Sequence, residues 1–272
     1  MDSFLRWAGS KRSLIPQLRG FAPDDSFTRY VEPFAGSAAL FFSLRPANAL
    51  LSDINEYLIA MYRAIRIDVE LVLQCFDRLP CGEAAYYRIR SEDVSSASSA
   101  ERAARFLYLN RYCFNGLFRT NARGDFNVPY GPPTKPLRKF AERVRAGAEA
   151  LQHATLLALD FESVVERVRP GDLVYLDPPY AVDERRIFRE YLPGSFSTAD
   201  VPRLAGVLEK IDSVGATFLL SYAMSVEGES LSGPWHYKTV TTRRNVAGFS
   251  GNRRSATEVV VSNRPLEVAD AD

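Results

Sequence analysis

The chain has 272 residues, 46% of them hydrophobic and 25% charged. These are ordinary globular values, and they exclude disorder, collagen and coiled coil as whole-chain readings. The net charge is only +1, but its distribution is uneven: residues 102–145 carry ten Lys/Arg against Asp125 and Glu142, and residues 236–254 carry five with no acid. Two concentrated basic segments in a near-neutral chain point to a polyanion partner. The alternative is a solvated charged helix face.

No apolar run reaches the ~18–20 residues of a transmembrane helix, so no membrane association is expected. The first residues show no basic-then-apolar signal pattern. Cys75, Cys81 and Cys113 have no C-x-x-C spacing. That argues against a disulfide framework and for reduced thiols in a cytoplasmic protein. With two histidines, His153 and His236, zinc sites and histidine triads are poor candidates, and no metal is expected.

The chain opens on Phe4-Leu5-Arg6-Trp7-Ala8-Gly9-Ser10-Lys11. A Trp and a Lys around a glycine turn suit closure over a cofactor, and a Trp face attracts a ligand cation. An ordinary capping segment is the other reading. Next comes a strand over Thr28–Phe34. It runs through Val31-Glu32-Pro33-Phe34 into the small-residue turn Ala35-Gly36-Ser37-Ala38 and a helix over Ala39–Ser43. Gly36 permits close approach of a ligand to the backbone. The turn is weaker than a dinucleotide fingerprint, because Ala38 stands where a second glycine would be expected. A second strand, Ala49–Asp53, ends in an acid 17 residues after Gly36, well placed to bind ribose hydroxyls or to cap the helix Glu56–Ile67.

From Arg63 to Leu151 the alternation of strand and helix stops. A helix over Glu101–Asn110 is followed by turn signals at Asn115-Gly116 and Arg123-Gly124-Asp125, which bound a hairpin running to Pro129-Tyr130-Gly131. This stretch reads as an inserted subdomain carrying most of the positive charge. Ser95–Ser99 reads as a flexible loop within it.

Alternation resumes with strands Ala154–Asp160 and Leu173–Asp177, a helix over Val201–Ile211, and strands Ala216–Ser221, Tyr237–Thr242 and Thr257–Ser262. Apolar runs such as Leu173–Leu176 suit strands covered on both faces. The pattern predicts a parallel sheet with helices on both sides. The end, Glu267–Asp272, reads as frayed. The sharpest feature is Asp177-Pro178-Pro179-Tyr180 after the fourth strand. Two prolines stop sheet pairing and fix the backbone. Asp and Tyr are thereby presented at the carboxyl edge, where open α/β sheets bind ligands; a rigid turn is the bland alternative.

Together these pieces resemble the DNA adenine methyltransferase family, over nearly the whole chain. Arg111–Arg119 and Gly124–Gly131 look like the family's N-R-Y…N-G-L…R and G-x-F-N-V-P-F-G stretches. Arg243-Arg244-Asn245 through Asn252-Arg253-Arg254 looks like its basic final loop. The resemblance implies an α/β fold: a Rossmann-like seven-stranded sheet, last strand antiparallel, with an inserted, mainly helical DNA-recognition subdomain containing a hairpin. Residues 1–62 and 151–272 would form the catalytic domain and residues 63–150 the insert.

It also implies S-adenosylmethionine as methyl donor, with Trp7, Lys11, Glu32, Phe34, Gly36, Asp53, Asp160, Phe161 and Asp177 at donor positions. Asp177, Pro178 and Tyr180 are the implied catalytic group. Double-stranded DNA is the implied partner, met by Arg6, Phe114, Asn115, Leu117, Arg119, Pro129, Lys139, Arg244 and Arg253. The implied target is a short GAT-containing site, GATC above all. A cognate restriction endonuclease, a solitary enzyme and a phage-borne one all fit the resemblance. Three departures stand out: Ala38 replaces the second glycine, with lower donor affinity expected; Arg6 replaces a Lys; and Phe114 replaces a Tyr.

Overall fold

The computed structural model describes residues 2–23, 26–121, 124–132, 138–180, 196–245 and 253–266. Seven strands form one sheet: β1 (Arg29–Glu32), β2 (Ala49–Ser52), β3 (Ala154–Leu157), β4 (Asp172–Leu176), β5 (Thr217–Ala223), β6 (His236–Asn245) and β7 (Arg253–Ser262). Their order is β3-β2-β1-β4-β5-β7-β6. β1 to β5 are mutually parallel, and β7 runs antiparallel between β5 and β6. All seven expected strands are present, with the last in sequence antiparallel.

The strands differ from expectation at their ends. β2 and β4 stop one residue before Asp53 and Asp177, leaving both acids just past the sheet edge. After β4, Pro178 and Pro179 have no N–H to continue the ladder. β6 and β7 are longer than expected. They pair from His236↔Ser262 to Asn245↔Arg253, whereas β5 pairs only with residues 258–262 of β7. A two-stranded ribbon therefore projects beyond the sheet. Its arginine-rich sequence lacks the apolar alternation of a half-buried strand, which is why the segment reads as loop.

Side chains alternate across the sheet. Tyr30, Leu51, Leu173, Tyr175 and Val260 face one core, and Val31, Leu50, Val174, Leu176 and Val261 the other. The first core is covered by α1 (Ile15–Phe21), α2 (Ala39–Leu44), α3 (Glu56–Ile67), α4 (Val69–Asp77), α5 (Glu83–Ser91), α6 (Ser99–Tyr112) and α7 (Arg138–Leu151). The second is covered by α8 (Phe161–Val165), α9 (Asp200–Ser213) and α10 (Val226–Ser232). All five β4 side chains are buried, which explains the apolar run Leu173–Leu176; Asp172 before it pairs with Arg29. Each apolar one contributes about 1.5–3 kcal/mol, so the strand that ends at Asp177 is firmly anchored. No described helix is long and apolar enough to cross a membrane.

Helix α6 starts where local chemistry dictates. Ser98 Oγ accepts from the Glu101 N–H at 3.2 Å, and the Ser98 N–H donates to Glu101 Oε2 at 2.8 Å, a reciprocal capping box. The serines that read as flexible loop thus form a capped turn. Ser95 N–H also bonds Asp93 Oδ1 at 2.9 Å. The expected hairpin is present as two isolated antiparallel bridges, Cys113↔Tyr130 and Thr120↔Phe126. Asn121 and Asp125 close its tip through side chains and backbone.

Between β1 and α2 the backbone turns through left-handed conformations at Gly36 (φ 45°) and Ala38 (φ 48°). A non-glycine residue there costs about 1–2 kcal/mol, which explains why glycine is the expected occupant. Ala38 is fully buried and contributes a packed methyl in return. Because that methyl and the stiffer unfolded chain offset the strain, Ala38→Gly should move stability by less than about 1 kcal/mol. Ala38→Val, β-branched at positive φ, should lower it by at least about 2 kcal/mol. Urea denaturation of the two variants checks this.

Candidate functional site

Parallel strands bring their carboxyl ends to one edge. Glu32 lies two residues after Tyr30, Asp53 two after Leu51 and Asp177 two after Tyr175, so period-2 alternation carries all three acids to the first-core face. A cleft opens there between residues 7–11, the turn 34–37, the start of α3, the Asp160–Phe161 corner and residues 177–180. Every residue expected at donor positions lines it.

Asp53 ties the cleft floor together. Its Oδ2 accepts from the Gly36 N–H and its Oδ1 from the Asn55 N–H, both at 2.9 Å. Burial raises the pKa of the carboxyl and the two N–H donors oppose this. The helix-capping alternative is answered: Asn55, not Asp53, caps α3, its Oδ1 accepting from the Leu58 N–H at 3.2 Å. Gly36 is needed for space as well as for conformation. A Cβ on it would lie 2.9 Å from Trp7 Nε1. Tyr62 hydroxyl donates to the Gly36 carbonyl at 2.8 Å. Glu32 is buried, accepts from the Tyr30 hydroxyl at 3.0 Å, and burial pushes its carboxyl well above the usual range.

Phe34 and Phe161 stack at 5.1 Å and form an aromatic wall, with Phe196 edge-on to Phe34. Asp160 caps α8 by accepting from the Glu162 N–H at 3.1 Å and also accepts from Arg203 at 2.8 Å. Among the described residues both bonds fall on Oδ1. Arg203 lies over the Phe161 ring at 4.7 Å and bonds Asp200 and Glu162. Its role was not legible from one sequence, because it sits on a helix 43 residues from Asp160.

Lys11 lines the cleft, and its ammonium is engaged by protein groups. Its side chain is 6% exposed, and its ammonium pairs with Asp177 and donates to the Gly9 carbonyl at 3.2 Å. It also lies 5.0 Å from the Tyr180 ring centre. Burial lowers the pKa of the ammonium, but Asp177 and its neighbours more than offset this, leaving it raised. Tyr180 in turn meets Tyr222 edge-on at 5.3 Å. A residue that sequence reasoning missed, Glu258 of β7, stands 3.8 Å from the same ammonium. Trp7 stacks on Phe118 at 5.8 Å, and Phe118 on Phe106 at 5.4 Å, so the opening segment is locked to α6 and the hairpin.

The residues expected to meet DNA are partly brought together. Phe114, Asn115, Leu117, Arg119 and Pro129 lie on the two arms of the irregular hairpin, where the Phe114 N–H bonds the Pro129 carbonyl at 2.8 Å. Phe114 is 42% exposed, and Asn115 takes a left-handed φ of 55°. Arg119 donates to Asn127 Oδ1 at 2.7 Å.

Arg6 is not a free probe. Its Nη1 donates to the Arg111 carbonyl at 3.1 Å, at the end of α6, where a cation complements the helix dipole. Buried Asn110, also missed from sequence, grips the Arg6 backbone by accepting from its N–H and donating to its carbonyl. Lys139 is exposed on α7. Arg244 and Arg253 lie on the projecting ribbon; their side chains, and residues 246–252, fall outside the described part. Among the described residues no group of three His, Cys, Asp or Glu is placed to hold a metal.

A strand-edge cleft with an acid after β2, an aromatic wall and an Asp-Pro-Pro-Tyr corner defines a class of open α/β enzymes that bind a nucleoside-type ligand beside a reacting group. Residues 7–246 match the model of the D12 class N6 adenine-specific DNA methyltransferases, and the chain belongs to that family. It is 33% identical to the type II methyltransferase M1.LlaDCHI of Lactococcus lactis subsp. cremoris, over 96% of this chain and 94% of that protein. It is 34% identical to the retron Ec67 DNA adenine methylase of Escherichia coli, over 96% and 90%. With the DNA adenine methylase of Escherichia coli strain K12 the identity is 31%, over 99% and 98%. The protein is thus an adenine-specific DNA methyltransferase, and its family implies a methyl donor of the S-adenosylmethionine type.

The Lys11–Asp177 pair yields a stability prediction. Lys11→Met removes the cation between two carboxylates that are 19% and 3% exposed. Leaving buried charge unpaired costs about 3–5 kcal/mol. Denaturant unfolding should show a loss of that size, whereas Lys210→Met, which breaks the exposed pair with Glu166, should change stability by less than about 1 kcal/mol.

Proposed function

We propose that this protein methylates the exocyclic 6-amino group of adenine in duplex GATC, or another short GAT-containing site, using S-adenosylmethionine. The observation that carries the reading is Asp177-Pro178-Pro179-Tyr180 at the cleft, with Asp177 held by a buried ammonium. The cleft residues fit the donor. Asp53 would accept from ribose hydroxyls, Phe34 and Phe161 would hold the donor's base, and Asp160 would accept from its amino group. Gly36 keeps the turn clear for it, while Glu32, Trp7 and Lys11 complete the walls. When bound, S-adenosylmethionine supplies an electrophilic methyl whose bond to sulfur breaks, the electron pair staying on sulfur, as the adenine nitrogen forms the new carbon–nitrogen bond.

The remaining work falls to the chain. The target adenine leaves the duplex stack, at a cost of a few kcal/mol, and Tyr180 stacks on it. The Asp177 carboxylate and the Pro178 carbonyl accept hydrogen bonds from the two amino N–H groups. This turns the nitrogen lone pair toward the methyl and stabilises the positive charge that develops on nitrogen. The extra proton then passes by way of Asp177 to water. The displacement is direct. Cys113 is buried, with burial pushing its thiol up to about 11, so it is a poor nucleophile.

Residues 63–150 serve as the target-recognition unit and residues 1–62 with 151–272 as the catalytic unit. The hairpin enters the DNA, with Arg119 reading guanine and Phe114 stacking. Asn115, Leu117 and Pro129 shape the contact surface. Arg6, anchored at the end of α6, supplies positive charge beside it. Lys139, Arg244 and Arg253 contact phosphates. A cognate restriction endonuclease is the functional partner in a type II setting.

Two experiments test this reading. Asp177→Ala should abolish transfer of labelled methyl to GATC DNA while DNA binding, read by gel shift, persists; normal turnover in the folded variant would overturn the chemistry. Arg119→Ala should relax base choice at one position, because a bidentate guanine contact is worth about 1–3 kcal/mol of discrimination. Lys139→Ala should weaken binding on every sequence and flatten the salt dependence. Competition with single-base site variants reads both, and an equal loss on every variant would make Arg119 a backbone contact.

A further inference from the structure

Lys11 is surrounded by more negative charge than one partner accounts for. Besides Asp177 it faces Glu258, whose side chain is 3% exposed and stands 3.8 Å from the ammonium. Glu258 lies on β7, opposite Ala223 of β5 and Val240 of β6. Because β7 is antiparallel, its early residues reach the edge where the parallel strands end. Val260 belongs to the first core, so Glu258, two residues before it, faces the same side as Tyr175 and Asp177.

We propose that Glu258 is a positioning residue for methyl transfer. It shares the Lys11 ammonium with Asp177, so the pull of that cation is divided between two carboxylates beside the adenine amino group. The inference rests on the role given to Asp177 above. A lone Lys11–Asp177 pair is neutral, and the ammonium draws the Asp177 carboxylate toward itself. With Glu258 taking part of that cation, Asp177 stays a strong acceptor for the amino N–H. The nitrogen passes from neutral to positive as the new bond forms, so a stronger Asp177 acceptor favours the transition state over the bound substrate.

The test is Glu258→Gln, which keeps volume and removes charge. Expected are a single-turnover methylation rate lowered about tenfold or more, with affinities for S-adenosylhomocysteine and for GATC DNA within about threefold of the parent. Glu258→Asp should restore part of the rate. A readout on the ligand-free protein accompanies this. Lys11 is one of five lysines, and its ammonium resonance in isotope-labelled protein should shift in Glu258→Gln. An unchanged rate, or rate and both affinities falling together without recovery in Glu258→Asp, would overturn the inference. So would an unmoved Lys11 resonance. Asp177→Ala run in parallel separates the two claims: turnover in that variant defeats the reading of Asp177, whereas its inactivity beside a normal Glu258→Gln defeats the role of Glu258 alone.

Discussion

A lysine ammonium held out of water beside a carboxylate organises this molecule. Removing either charge from water costs several kcal/mol, so Lys11 and Asp177 are stable in place only together. Lys11 comes from the opening segment and Asp177 from the end of a buried central strand. Their pairing fixes where the opening segment crosses the sheet edge, and so fixes one wall of the cleft. The same contact keeps Asp177 at the rim, 19% exposed, able to receive a hydrogen bond from a ligand.

The opening segment links two regions that are far apart in sequence. Within six residues it is clamped by Asn110 at Arg6, stacked through Trp7 on Phe106 and Phe118, and paired at Lys11 with Asp177. Helix α6 and the hairpin are thereby joined to the end of β4 by short, directional contacts rather than by the general core alone. Gly36 meets Trp7 so closely that no side chain fits between them, and Asp53 holds Gly36. The Gly36 turn, the segment and the hairpin base thus form one continuous set of contacts.

Much of this was legible in the sequence because parallel-sheet architecture puts the chemistry in a readable place. A buried apolar run followed by an acid marks both a central strand and the edge at which it ends, as with Ala49–Asp53 and Leu173–Asp177. Asp177-Pro178-Pro179-Tyr180 needed no tertiary information, since two prolines alone dictate a stiff exit. What stayed hidden depended on pairing across the fold. Glu258 lies midway along antiparallel β7, and its meeting with Lys11 depends on a pairing that no local pattern announces. Asn110 and Arg203 sit on helix surfaces whose neighbours come from distant segments. The long ribbon of β6 and β7 is held by backbone bonds between arginine-rich stretches that carry no apolar period.

The antiparallel strand carries the last step of this logic. A sheet of parallel strands alone gathers only residues that end or follow strands, and here these include Glu32, Asp53 and Asp177, all acids. Inserting β7 in the opposite direction between β5 and β6 brings Glu258, where β7 begins to pair with β5, to the same edge. That gives the Lys11 ammonium a second carboxylate without lengthening any loop. Backbone pairing on both sides of β7 holds Glu258 more rigidly than a loop would, and the same strand continues into the basic ribbon at Arg253. The charge that surrounds Lys11 and the ribbon carrying Arg244 and Arg253 are therefore set by one register. A one-residue slip in β7 would turn Glu258 to the opposite face and misplace the ribbon at the same time, which ties the electrostatics of the cleft to the geometry of the basic surface beyond it.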